Sequence, residues 1–411
     1  MNSDNPKGII ELGNLNLKCI IYKIEDDDSF QVLSTSITNS EGIHNGVVVN
    51  LKNASNTIRS CISQAEKKAN VSIKKINVVL EQPEFLCTKF SKHRKINGSK
   101  IQKEDIEFLL KEGKKHVMLN DEKQSIIHIF NHNYIVDGKT FTEEPINVYA
   151  DSLSHEMTFV TMPKNYVKNI NQVFIDCDVD VERIISCTFA LAANLFNNNE
   201  LKSGLTLIDF GHEKTSLGLF KNLALIHSST IPIGINHIAK DLSKVCLLSI
   251  EDSKKLIYNF DFSFKDNNNI FDKDSYLKKI YFESSNFRKI SKSLIFNIIK
   301  SRINEVLEIL KKQIFLMGLN SLNNTEIFIS GGGANLYNLK DYSSEFFGAK
   351  ITKIPEINEH NEKEKQNESF ASCLGALKII KDGWETEAIP KKTNKFGKKA
   401  TFFNKIFRYR A

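Results

Sequence analysis

The chain has 411 residues, too many for one compact core, and its 41% hydrophobic and 26% charged content fit a folded globular protein of two or more domains. No apolar run reaches the ~18 residues of a membrane span, the opening MNSDNPKG is not a signal peptide, and seven scattered cysteines without CxxC spacing suggest neither a disulfide framework nor a zinc site and fit a reducing cytoplasm. The net charge of +7 is concentrated after Glu387, where Lys391, Lys392, Lys395, Lys398, Lys399, Lys405, Arg408 and Arg410 follow without an acid, so no general nucleic-acid surface is expected.

In chain order, Gly8–Leu12, Leu17–Ile24 and Gln31–Thr38 read as three strands. Ile58, Cys61, Ile62, Ala65 and Ala69 mark one face of a helix, and Lys75–Leu80 reads as a buried strand. Residues 84–161 differ from what precedes them: a helix around Ile106–Leu110, with acids early and lysines late, and strands at 126–130, 134–136 and 157–160 predict a small α+β insertion. Asp176, Asp178 and Asp180 alternate like ligands, but they precede the Val181–Ile185 segment as loop decoration, and no metal is assigned there. His128 and His132 are read as structural. Leu207–Phe220 reads as strand, turn, strand. Residues 252–290 are polar with few core signals. A long helix carries Leu294, Ile298, Ile299, Ile303, Val306, Leu307, Leu310, Ile314 and Leu316-Met317 at helical spacing. Glu326–Ser330 is a short strand, 356–368 a charged loop, and Ala371–Ile380 a final helix.

Three glycine-bearing turns follow strands: Glu11-Leu-Gly13-Asn14, Asp209-Phe-Gly211-His212 and Ser330-Gly-Gly-Gly333-Ala-Asn335. Glycine lets backbone N–H groups approach a phosphate without a Cβ in the way. An acid at a strand end holds Mg²⁺ through water. Each turn alone is weak evidence, because glycine after a strand usually only turns the chain. Three in this order, in similar strand contexts, predict an internal duplication clamping a polyphosphate, with the third turn opening a helix at Asn335 and receiving an adenosine.

This order resembles the actin/Hsp70 ATPase superfamily, and within it the FtsA family of bacterial cell-division proteins, over nearly the whole chain. Glu11 to Asn16 resembles the phosphate-1 turn, Leu207–Leu219 phosphate-2, and ISGGGANL at 329–336 the adenosine turn. IIHIFNHNYIVD at 126–137 is similar to a segment of the inserted domain of FtsA, and Ser369–Gly375 to the closing helix. Arg302-Ile-Asn-Glu305 is similar to the family's RxxE. The resemblance implies an α/β, actin-like two-lobed fold of duplicated ribonuclease H-like domains. Domain IA would be 1–83, 162–204 and a closing helix at 369–381, and the inserted domain 84–161. IIA would be 205–245 and 319–368, IIB 246–318, followed by a linker at 382–395 and a membrane-binding amphipathic helix at 396–411. It implies ATP or ADP with Mg²⁺ between the lobes, at Gly13, Asn14, Asn16, Asp209, Gly211, Thr215, Gly234, Glu305, Gly331, Gly332, Gly333 and Asn335, with Asp209 toward the metal and Glu305 near the ribose. Arg302 would meet the FtsZ C-terminal peptide.

The departures from the pattern point to binding with little or no turnover. Asn14, Leu15 and Asn16 stand where phosphate-1 has Thr or Ser and then Lys, with Lys18 two residues on. Phosphate-2 keeps Asp209, Gly211 and Thr215 but has His212, Glu213 and Lys214 where glycines are usual, and Ile235 replaces a second glycine after Gly234. Thr188 stands nearest to the position of a catalytic acid or amide, so no catalytic residue is assigned. In the tail, Phe396, Ala400, Phe403 and Phe407 fall at helical spacing, extended by Phe402 and Ile406, with Lys398, Lys405 and Arg408 opposite. The expectation is a peripheral membrane protein that tethers FtsZ polymers to the cytoplasmic membrane at the division site. It would self-associate into filaments and recruit later division proteins through the inserted domain. The alternatives are a PilM-like pilus-assembly scaffold, which lacks such a tail, and an active ATPase or sugar kinase of the same superfamily, which needs intact phosphate turns.

Overall fold

A computed structural model describes residues 6–25, 29–259, 276–316, 326–353 and 369–381. They form two compact units, one of Met1–Gly204, Gly218–Ser229 and Ile357–Ala411, the other of Leu205–Leu217 and Thr230–Glu356.

In the first unit, β1 (Lys7–Leu12), β2 (Asn16–Ile24) and β3 (Phe30–Asn39) form an antiparallel meander, followed by the small pair β4 (Ile43–His44) and β5 (Val47–Val48). Helix α1 (Leu51–Ala69) starts where Asn50 accepts from the Asn53 N–H and stops at Asn70 in left-handed geometry (φ 53°). Ile58, Cys61, Ile62 and Ala65 of the predicted stripe are buried, joined by Ala54, whereas Ala69 in the last turn is only half-buried. Strand β6 (Lys75–Leu80) pairs parallel with β1.

The insertion then contributes β7 (Leu86–Lys100), α2 (Lys103–Asn120), β8 (Gln124–Val136), β9 (Lys139–Phe141) and β10 (Tyr149–Pro163), with strand order β7-β10-β8-β9. Ile106, Leu109, Met157 and Phe159 pack between α2 and the sheet. The strands run far longer than their apolar cores indicated, and β7 was not foreseen. Only Ile96 of its 15 residues is buried, so the strand has no alternating apolar signal to read.

The first unit continues with α3 (Lys164–Ile175), β11 (Asp180–Ser186), α4 (Cys187–Leu195) and α5 (Asn198–Ser203). Asp176 caps α3, where it accepts from Ser55 and Gln172, and Asp178 sits in the left-handed turn before β11.

The remaining elements are β12 (Leu205–Phe210), β13 (Thr215–Lys221), β14 (Ala224–Ile231), α6 (Ile235–Cys246), α7 (Ile250–Tyr258), α8 (Lys292–Leu316), β15 (Glu326–Ser330), α9 (Leu339–Phe347), β16 (Ile351–Lys353) and α10 (Ala371–Lys381); most of β13 and β14, and α10, fall in the first unit. The large sheets have orders β3-β2-β1-β6-β11 and β14-β13-β12-β15-β16. Each runs through three sequential strands in reverse and then adds two parallel ones, which is the expected duplication.

The α8 stripe needs one correction. Ile295, Ile299, Ile303, Val306, Leu307, Leu310 and Ile314 are buried, whereas Leu294 and Ile298 lie off that face, Leu316 is exposed, and Met317 lies outside the described residues. Residues 252–290 need another. Leu256 and Ile257 are buried on α7, and the buried Asp252 accepts from the Glu283 and Ser284 N–H groups and the Ser285 hydroxyl. The 283–285 loop is therefore held by a buried carboxylate, beside the buried Leu277, Phe282 and Ile290. The charged loop at 356–368 and the C-terminal amphipathic helix lie outside the described residues.

Two buried histidines bear on stability. The Nε2 of His128 accepts from the Ser186 N–H at 2.9 Å, and burial pushes its pKa down to about 3. His155 stacks on Tyr134 with centroids 4.4 Å apart, neither ring nitrogen has a hydrogen-bond partner among the described residues, and burial again pushes its pKa down to about 3. Both values are depressed from 6.5. The unfolded chain therefore takes up protons first, and stability present above pH 6.5 is lost as the pH falls, by up to about 1.4 kcal/mol per pH unit for each group. His155→Phe keeps the stack and removes two unsatisfied nitrogens. It should stabilise the protein by about 1 kcal/mol at pH 7 and flatten the acid slope in urea melts at pH 7, 6 and 5.

Candidate functional site

The first turn is closed by its own side chains. Glu11 and Lys18 are cross-strand partners on β1 and β2, with Lys18 Nζ 3.2 Å from Glu11 Oε2. The Ser372 hydroxyl of α10 donates to the same oxygen at 2.6 Å. Glu11 holds the Lys18 ammonium well above the ordinary lysine range, against the opposing effect of burial. The Asn14 amide donates to Asn45 Oδ1 at 2.8 Å and accepts from the Asn45 N–H at 2.6 Å, so both its ends are engaged. A Cβ on Gly13 would collide with the Asn16 carbonyl, which explains the glycine without a ligand.

The second turn, between β12 and β13, is tied to the start of α6. The Gly211 N–H donates to the Lys214 carbonyl at 2.9 Å, and the buried Thr215 hydroxyl donates to the Ile233 carbonyl at 2.7 Å. The first N–H groups of α6, from Ile235 and Asn236, donate to the Gly211 and His212 carbonyls at 3.2 and 2.8 Å. A Cβ on Gly234 would lie 2.6 Å from the Gly211 carbonyl, so this glycine permits close packing of helix and turn. At the centre is Glu213. It accepts from Asn236 Nδ2 at 2.5 Å and Lys240 Nζ at 3.3 Å, and His212 and His237 lie 3.6 and 3.7 Å away. Burial works against its charge, but these donors outweigh burial and hold the carboxyl below the ordinary glutamate value of 4.5.

The third turn stacks on the end of β12. Asp209 lies opposite Ser330 in the parallel pairing, and the Ser330 hydroxyl donates to Asp209 Oδ1 at 3.3 Å. Gly331 has φ 85°, a left-handed geometry that favours glycine, and a Cβ there would collide with the Asp209 carboxylate and the Phe210 carbonyl. Gly333 is buried against Phe210 and Ile235. Gly332 is exposed, with only the Tyr258 hydroxyl near a Cβ placed there, at 3.8 Å. Asn335 closes a short 3-10 turn at Gly332–Asn335 rather than opening a helix. Asn338 takes left-handed geometry (φ 60°), and α9 begins only at Leu339.

For a Mg²⁺-nucleotide these residues fit unevenly. The open backbone at Gly332 beside Tyr258 suits the flat face of a base. The phosphate end suits its ligand poorly. The Gly211 N–H, the Thr215 hydroxyl and the first N–H groups of α6 already donate within the protein, and a fixed carboxylate, Glu213, stands in the turn. No group of three or more His, Cys, Asp or Glu poised for a metal exists among the described residues, so a cation at Asp209 would be held mainly by water and phosphate.

Arg302 and Glu305 meet at a separate place. Asp241 and Val245 of α6 and Asn297, Ile298, Ser301, Arg302 and Glu305 of α8 line an open groove of about 400 Å³. The Arg302 guanidinium grips Asp241 with two bonds, 2.7 and 3.0 Å, and donates to Glu305 Oε2 at 2.6 Å. Ile298, which the sequence assigned to the core, is part of the groove wall. Asp241, Glu213, Asn45 and Ser372 were missed as functional positions. Each acts through a partner 27 to 361 residues away, which no spacing reveals. The tail residues Phe396, Lys398, Phe402, Phe403, Lys405, Ile406, Phe407 and Arg408 lie outside the described residues. No described helix is long and apolar enough to cross a membrane.

Among solved structures, the chain is similar to the PilM–PilN type IV pilus biogenesis complex (TM-score 0.63, 11% identity, 91% of this chain and 98% of that one). It is also similar to MreB5 of Spiroplasma citri bound to ADP (TM-score 0.54, 14% identity, 92% and 98%). Duplicated sheets, three strand-end turns and these likenesses define an actin-like fold. The family model "Cell division protein FtsA" matches residues 206–375, and "SHS2 domain inserted in FTSA" matches 85–161. FtsA of Buchnera aphidicola subsp. Schizaphis graminum is 24% identical over 357 residues, covering 85% of this chain and 84% of that protein. FtsA of Streptococcus pneumoniae is 25% identical over 349 residues, covering 83% and 74%. The chain belongs to the FtsA family of cell-division proteins.

The polar hub makes its own prediction. Because the carboxyl of Glu213 lies below the unfolded value, its stabilisation is present above pH 4.5 and is lost as the pH falls through the folded value. Glu213→Ala strands the Asn236 amide and should cost about 1–2 kcal/mol at pH 7. In urea melts the gap to wild type should narrow as the pH falls below 4.5.

Proposed function

We propose that this chain fastens FtsZ polymers to the inner face of the cell membrane at the division site, assembles with copies of itself, and recruits later division proteins through the inserted domain. The observation that carries this reading is the α6–α8 groove, an apolar floor of Val245 and Ile298 beside a forked guanidinium, in a chain of the FtsA family. The FtsZ C-terminal peptide is its occupant. A free Arg302 would grip a peptide carboxylate by two parallel hydrogen bonds. Here Asp241 and Glu305 already neutralise it, so an incoming carboxylate has to replace Asp241. Two variants therefore move in opposite directions. Arg302→Glu should weaken binding of a labelled FtsZ C-terminal peptide about tenfold or more, and Asp241→Asn should tighten it several-fold, because it frees the fork. Fluorescence anisotropy on both variants checks the pair, and equal affinity in all three proteins would remove Arg302 from the site.

The nucleotide reading follows the uneven fit. ATP or ADP is held through the third turn (Gly331, Gly332, Gly333 and Asn335), with Asp209 toward a hydrated Mg²⁺ and Gly13, Asn14, Asn16, Gly211, Thr215 and Gly234 shaping the phosphate end. Hydrolysis is slow or absent, because catalysis gains most from donors aimed at developing phosphate charge, and here those donors are committed elsewhere. No catalytic step is assigned to this chain.

The anchor reading rests on the tail sequence. Burying each Phe or Ile side chain gains about 1.5–3 kcal/mol, and each Lys or Arg near anionic lipid adds about 1 kcal/mol. A short helix alone in water is marginal, so the membrane orders it. Deleting residues 396–411 should abolish sedimentation with anionic liposomes, and Phe403→Glu with Phe407→Glu should nearly do so. A truncated chain that still pellets would move the anchor elsewhere.

A further inference from the structure

The edge strand of the inserted domain carries a charge pattern that neither the groove nor the tail explains. Among the described residues, strand β7 pairs with β10 alone and is the outermost strand of its sheet. Every second backbone N–H and C=O along it therefore points away from β10. From Lys89 to Lys100 it carries Lys89, Lys92, Arg94, Lys95 and Lys100 with His93, and no acid. Arg94 is neutralised by Asp105 at 3.1 Å and lies over the Phe108 ring, and Lys100 lies over Tyr149. Lys89, Lys92 and Lys95 are exposed and have no carboxylate partner among the described residues. The register with β10 sets Lys89 opposite Thr158 and Lys95 opposite Ser152, on the face away from α2, whereas Lys92 shares the α2 face with Phe90. The positive charge thus straddles the strand instead of covering one face of the sheet.

Lysines on an edge also discourage unwanted pairing, usually together with short strands, prolines or frequent bulges. Here β7 is 15 residues long, contains no proline, and shows a single register shift against β10, at Ala150/Ser152. What its charges oppose is another basic strand, and a second β7 would bring cations against cations. We propose that the outer edge of β7 is a strand-addition site for an extended acidic peptide of a partner protein, with main-chain hydrogen bonds supplying affinity and Lys89, Lys92 and Lys95 selecting acidic side chains on both faces. This deepens the recruitment reading above and rests on it, by giving the recruited segment its chemistry.

The test is fluorescence anisotropy of the full chain with a fluorescein-labelled ten-residue peptide of Glu and Val. The expected result is saturable binding that weakens with salt and falls about tenfold or more in the double variant Lys92→Glu with Lys95→Glu. It should fall equally for the same peptide N-methylated at alternate residues, which cannot form the ladder. Circular dichroism and a thermal melt confirm that the exposed double variant is folded. No saturable binding, or equal binding by the double variant, overturns the proposal. Equal binding of the N-methylated peptide overturns it too, since attraction is then charge alone. So does loss of sedimentation with phosphatidylglycerol vesicles by the double variant while peptide binding is unchanged, because the edge is then a lipid face. The recruitment reading is judged separately, by whether replacing residues 84–161 changes the arrival of later division proteins at the septum. An edge that binds the peptide in a chain whose replaced domain leaves recruitment intact sinks that reading and keeps the edge.

Discussion

The parallel pairing of β12 with β15 sets Asp209 opposite Ser330, and the candidate nucleotide site depends on that register. Both strands end at the same level, so the chain must leave each of them at once in a confined space. Gly331 solves this by taking a left-handed conformation against the Asp209 carboxylate, and Gly333 by packing without a side chain on Phe210 and Ile235. The same crowding draws the first turn of α6 onto the Gly211 and His212 carbonyls. A slip of one residue in this pairing would turn every side chain of β15 to the opposite face and dismantle the three contacts together.

Charge is the second organising theme. Three ionic clusters at the candidate sites already have their counter-charges inside the protein. Glu11 holds Lys18, Glu213 holds Lys240, and Asp241 with Glu305 holds Arg302. Partly buried pairs of this kind contribute little net stability, since desolvation offsets much of the attraction. Their effect is on recognition. A ligand must compete with an internal partner at each place, which sets a threshold for an anion at the phosphate turns and for a carboxylate in the α6–α8 groove. The β7 edge stands apart, because three of its lysines meet no such competitor among the described residues.

Much of the architecture was legible before any coordinates. The glycine turns, the α1 stripe and the hairpin at 207–220 are local signals, because glycine and apolar spacing act over a few residues. The long edge strand β7 was not, since a strand exposed on one side and at its edge has no apolar alternation. Nor was the anchoring of the 283–285 loop, where a single buried carboxylate, Asp252, does what an apolar stripe does elsewhere. Ile298 read as core because it stands four residues after Leu294, at helical spacing, and only the neighbouring α6 shows that it faces the groove.

By itself the sequence determined which residues turn, which faces are apolar, and that the chain resembles the FtsA family, because these follow from residue types and short spacings. Only the tertiary structure decided what the polar groups do. Asn14 is spent on Asn45, Thr215 on the Ile233 carbonyl, Glu213 on α6 and Arg302 on Asp241. The physical reason is that a hydrogen bond or ion pair is satisfied by whatever partner the fold brings within about 3 Å, and sequence separation carries no information about that distance.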